Sequence, residues 1–159
     1  MQLNILKSLA LGVILVGLSG SWLQAQSLPT KRVIQPPDYK PTPSPLSPAI
    51  LVGNTLYMSG ATGGDPVTGK LVTGGFDAEF RQVMVNLQTV LTSAEMDLTN
   101  VVSVTAYVAD MSDYVRFNEM YREYFTARPL PTRSTVAVKE LARSARIELT
   151  MTAVRTAKP

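Results

Sequence analysis

A chain of 159 residues with 45% hydrophobic and 17% charged residues fits one globular domain with appendages. Lys and Arg outnumber Asp and Glu by 15 to 12, and no run of like charge concentrates the surplus, so the charge pattern implies no nucleic-acid partner. The chain has neither Cys nor His, which removes thiolate nucleophiles, disulfides, the usual zinc sites and imidazole bases, and leaves Arg, Lys, carboxylates, hydroxyls and backbone groups for any chemistry.

Residues 1–25 read as a signal peptide. Lys7 precedes an apolar run from Leu9 to Leu18. That run is shorter than the roughly 20 residues a bilayer-spanning helix needs, and Ala25 offers a cleavage point. The expected destination is the periplasm or the medium, with no stable membrane insertion after cleavage; an uncleaved signal anchor, leaving the protein tethered to a membrane, is the alternative. Residues 26–48 carry Pro29, Pro36, Pro37, Pro41, Pro43, Pro45 and Pro48. Prolines fix backbone angles and remove ladder donors, so this stretch is expected to be an extended tether.

The folded domain is expected over residues 49–159. Apolar runs flank Gly53-Asn54, a turn dipeptide that predicts a hairpin. A glycine-rich loop follows, containing the turn sequence Asp65-Pro66-Val67-Thr68-Gly69 but no phosphate-binding fingerprint. From Asp77, a suitable N-cap, the residues Phe80, Val83, Met84, Leu87, Val90, Leu91 and Ala94 recur at three- and four-residue steps and predict an amphipathic helix. The β-branched run Val101 to Val108 predicts a strand. Ser112 and Asp113 are suitable cap and first-turn residues for a second helix burying Phe117, Met120, Tyr121 and Tyr124, ended before Pro129. Strand-like runs at Ser134 to Val138 and Arg146 to Val154 complete an α+β sandwich, with two helices on one face of a mixed sheet. Nothing in a chain of this size remains to cover the other face, so self-association through it is expected.

Several segments, taken in order, resemble the Rid (YjgF) family. In the first half these are Val52 to Gly60, Asp65 to Gly69 and Arg81 to Leu87. In the second half they are Asn100-Val101-Val102, Asp110 to Tyr114, Phe117 to Tyr121, Tyr124-Phe125, Pro131 to Val136 and Ile147-Glu148-Leu149. The resemblance runs from about Pro45 to the end of the chain. It implies a chorismate-mutase-like fold, a homotrimer with sheets facing inward, and ligand clefts between subunits. It also implies a deaminase without cofactor or metal, hydrolysing reactive enamines and 2-imino acids to 2-keto acids and ammonia.

Carried over residue by residue, the resemblance assigns Arg133 to the substrate carboxylate, where a guanidinium fork suits a planar anion better than a lysine would. Glu148 corresponds to the acid that holds the attacking water or moves its proton, and the backbone carbonyl of Thr135 would hold the water or the imine nitrogen. Ser59 and Asn118 correspond to cleft-side positions, although either polar side chain could equally serve nearby backbone groups. A carboxylate inside an apolar strand needs a partner, and Arg133 is the candidate for Glu148, as an active pair or as an interface ion pair. One departure stands out: Ser44-Pro45-Leu46 replaces the family's Gly-Pro-Tyr, so Leu46 stands where a cleft phenol is usual, and Ala61 stands where Gln is common. Two other readings follow from these features. A non-catalytic binder of small carboxylates, or a holdase-like surface, fits the missing phenol. An endoribonuclease finds no His, metal constellation or basic stripe to support it.

Overall fold

The computed structural model describes residues 28–37 and 45–156. The expected signal peptide, residues 1–25, lies outside the described residues. Seven strands and two α-helices follow in order among the described residues: β1 (Lys31–Ile34), β2 (Ala49–Val52), β3 (Thr55–Met58), β4 (Ala61–Thr62), α1 (Gly75–Ser93), β5 (Val101–Val108), α2 (Tyr114–Tyr124), β6 (Thr132–Ala137) and β7 (Ile147–Val154). The sheet order is β1-β2-β3-β7-β5-β6, with β4 on the β7 ladder. Every pairing is antiparallel except β5 with β6, which α2 connects as a crossover. This is the α+β arrangement expected from the sequence. No helix among the described residues is long and apolar enough to cross a membrane.

Alternation along the strands decides which face carries the core. In β7, Ile147, Leu149, Met151 and Ala153 are buried, while Glu148, Thr150, Thr152 and Val154 are only partly so. In β5, Val104, Ala106 and Val108 are likewise buried. These residues meet one stripe of α1 (Phe80, Val83, Met84, Leu87, Leu91) and Phe117 and Met120 of α2, all in one apolar cluster. Phe80 joins the helices through edge contacts with Phe117 at 5.6 Å and Tyr124 at 5.7 Å. The opposite sheet face stays open, and Tyr57 (54%) and Val136 (45%) are exposed on it.

Three expectations need correction. The sheet begins at Lys31, not near residue 49: β1 lies within the segment read as a tether and pairs with all of β2. Its four residues contain no proline, so the ladder can form between Pro29 and Pro36, and Ile34 is buried. Asp77 is not the N-cap of α1, which starts at Gly75 after Gly74, with φ of 74° and 120° respectively. Only glycine tolerates such backbone angles readily, so the glycine pair sets the start. Asp77 sits in the first turn, where its charge favours the helix dipole, and it binds the Arg116 guanidinium at 2.6 Å. The N-cap of α2 is Asp113, expected in the first turn, and not Ser112; it makes no capping bond, and its carboxylate instead takes two N–H groups of Arg146.

Candidate active site

Arg133 lies on β6, an edge of the sheet, opposite Val104 of β5. Because Val104 points into the core, Arg133 points toward the helices, where α2 provides a seat. Its Cζ stands 4.7 Å from the Phe117 ring centre and 4.5 Å from that of Tyr121, and Nη2 donates to Asn118 Oδ1 at 2.5 Å. Phe117 and Tyr121 share a helix face through their i, i+4 spacing. The half-buried guanidinium meets no carboxylate among the described residues, whereas Arg81, Arg116, Arg146 and Arg155 all do. A planar fork with its orientation fixed and N–H donors to spare is suited to an incoming carboxylate.

Two hydroxyls beside this seat are buried without partners among the described residues: Tyr121 Oη and Thr135 Oγ1. Burial pushes the Tyr121 phenol up to about 12, against the opposing pull of the Arg133 charge, so it stays protonated near neutral pH. Thr135 follows Arg133 by two residues on the same side of β6, opposite Ala106. Arg133, Asn118 and Thr135 are therefore brought together.

Glu148 is elsewhere. It alternates with the buried Ile147 and Leu149, so its side chain lies on the open face, between Thr62 of β4 and Tyr107 of β5. Arg133 therefore points to the opposite side of the sheet, and the expected pairing with Glu148 does not occur within one chain. No ion pair or side-chain hydrogen bond holds the Glu148 carboxylate among the described residues. What places it is Gly60: a Cβ there would lie 1.9 Å from Glu148 Oε1.

Ser59 adjoins that glycine. Its hydroxyl donates to the Ser47 carbonyl at 2.7 Å and its amide to the Pro48 carbonyl at 2.9 Å. The pair clips Ser47 and Pro48 to the end of β3, on the Glu148 side of the molecule, while Leu46 is largely exposed.

Sequence reasoning missed Glu79, the one buried charged side chain among the described residues. Its Oε2 accepts the Arg146 amide at 2.8 Å, tying α1 to the start of β7 two residues before Glu148. The signal was present, since Glu79 falls between Phe76 and Val83 on the apolar stripe of α1. The aromatic seat of Arg133 was legible in the same way, as residues 117 and 121. The space over Gly60 was not, because it depends on how β4 lies against β7. Concavities of about 300 and 90 Å³ are lined by residues around Leu28 to Gly53 and around Leu98 to Pro131; neither includes Arg133 or Glu148.

Residues 39–155 match a family model described as "Endoribonuclease L-PSP". The chain is 40% identical over 111 residues to a 2-iminobutanoate/2-iminopropanoate deaminase of Homo sapiens, covering 70% of this chain and 80% of that protein. A protein of the same name from Dermatophagoides farinae is 35% identical over 119 residues, covering 75% and 92%. Among solved structures, RidA from the Antarctic bacterium Psychrobacter sp. PAMC 21119 superposes with a TM-score of 0.72 at 31% identity, covering 78% of this chain and 99% of that one.

Proposed function

Since the chain belongs to the Rid (L-PSP) family, we propose that it hydrolyses small 2-imino acids and their enamine tautomers to 2-keto acids and ammonia. The observation that carries this reading is the Arg133 guanidinium, oriented by two rings and an amide and not neutralised by any acid among the described residues. It is a receptor for a substrate carboxylate, and the deaminase names of relatives at 35–40% identity supply the substrate class.

The chemistry needs one water and one proton carrier. Glu148 takes a proton from water as its oxygen bonds to the imine carbon, then gives that proton to nitrogen. The hydroxyl proton leaves to Glu148 as the C=O forms and the C–N pair departs on ammonia, which carries the proton away. Iminium and water become keto acid and ammonium, with no redox step. A thiol or imidazole is not required, consistent with a chain that has neither.

Arg133 and Glu148 face opposite sides of one sheet, so a working site needs Arg133, Asn118 and Thr135 of one subunit beside Glu148, Gly60 and Ser59 of the next. A homotrimer closed through the open faces is the assembly proposed. Export through residues 1–25 is proposed with it; a mature protein beginning at Gln26 is the mass-spectrometric test.

The decisive assay measures keto-acid release from an imine generated in situ by an amino-acid oxidase. The protein should accelerate release and Arg133→Ala should not; equal acceleration by both would sink the reading. Carboxylate binding without turnover would favour the non-catalytic binder instead.

A further inference from the structure

We infer that the ring of Tyr121 is a positioning residue for carboxylate recognition: it holds the Arg133 guanidinium in a binding-ready orientation, and its hydroxyl takes no part. The inference rests on the reading of Arg133 as the carboxylate receptor and adds a residue that acts through it. Tyr121 is only 7% exposed, and its ring stacks on Phe125 with centres 4.3 Å apart and planes 23° from parallel. A ring fixed on that side offers Arg133 a rigid surface at 4.5 Å, and Phe117, edge-on to Tyr121 at 5.6 Å, offers a second at 4.7 Å.

An arginine has several rotatable bonds, and ordering them on binding weakens affinity. The aromatic seat and the Asn118 hydrogen bond order the side chain before any ligand arrives. The hydroxyl makes none of these contacts. It is buried, closed to solvent and without a partner among the described residues. The useful part of Tyr121 is therefore what it shares with phenylalanine.

The test compares full-length wild type, Tyr121→Phe and Tyr121→Leu in imine hydrolysis, in binding of 2-oxobutanoate, and in the NMR signals of the Arg133 guanidinium. Tyr121→Leu is expected to raise KM and the 2-oxobutanoate Kd about tenfold, with kcat within about threefold of wild type. Tyr121→Phe is expected to stay within about twofold in all three. Ring-current-shifted Arg133 signals with slowed rotation should appear in wild type and Tyr121→Phe and vanish in Tyr121→Leu. Unchanged KM and Kd in Tyr121→Leu, or losses in Tyr121→Phe equal to those in Tyr121→Leu, overturn the inference. Should Tyr121→Leu not fold, unshifted, freely rotating Arg133 signals in the wild type overturn it, and shifted ones retained in Tyr121→Phe sustain it. A wild type that binds 2-oxobutanoate without hydrolysing imines removes the proposed activity, yet leaves the binding and NMR outcomes for Tyr121 readable.

Discussion

At the residue scale, two side chains in the candidate site depend on neighbours that give them room or a plane. Gly60 gives Glu148 room. A methyl group there would lie 1.9 Å from Oε1, the far end of a side chain with freedom to move, so the carboxylate would shift and the backbone would hold. Gly60→Ala should therefore lower kcat by at least about tenfold while thermal unfolding stays close to wild type. A variant with full kcat would mean that Glu148 does not work from this position. Arg133 and Glu148 were legible in the sequence because their surrounding motifs are local. Their separation onto opposite faces was equally legible in principle, by counting alternation along β6 and β7. The seat and the glycine gap needed the tertiary arrangement, because each joins segments distant in the chain.

At the element scale, charged residues lock α1 to its neighbours, and two of these locks, at Glu79 and Asp77, differ in burial. Glu79 accepts the Arg146 amide from inside the core. Glu79→Gln keeps an acceptor and removes a buried charge, so chemical denaturation should find it as stable as wild type or more so. Glu79→Leu takes away the acceptor of the Arg146 N–H in a partly buried contact and should cost about 1 kcal/mol. Asp77 is more exposed, and its bonds to Arg116 hold its pKa below the ordinary 3.8. A depressed folded-state pKa means stability that is present above 3.8 and lost as pH falls through the lower folded value. Asp77→Asn should melt below wild type near neutral pH, with the gap closing once acid has protonated Asp77; a pH-independent gap would remove the ion pair as its cause. The helices were readable from their apolar periodicity, but their starts were not. Asp77 and Ser112 both look like caps in sequence, yet glycines set the first turn of α1, Asp113 holds the cap position of α2, and the carboxylates of Asp77 and Asp113 are each drawn to an arginine from another element. The strand β1 was hidden by the prolines around it.

At the scale of the whole molecule, the open sheet face and the split site make one demand. Tyr57 and Val136 expose apolar surface on the face that carries Glu148, while Arg133 stands on the other side of the β6 edge. A second copy laid against this face would cover the apolar residues and bring its own Arg133 toward the first copy's Glu148. Val136→Asp places a charge in that contact and should reduce the mass in solution and the activity together, with little change in secondary structure. A sharper experiment uses two inactive variants. Arg133→Ala subunits retain Glu148, and Glu148→Gln subunits retain Arg133. If each site draws one residue from each of two neighbours, unfolding and refolding the two variants together produces mixed assemblies in which some interfaces hold both intact residues. Activity should then reappear, and it should not when either variant is refolded alone. Sites built within single subunits would give no recovery at any mixing ratio, because every subunit would carry one lesion. Recovery that peaks near equal proportions is the expected outcome, since that mixture maximises interfaces between unlike neighbours.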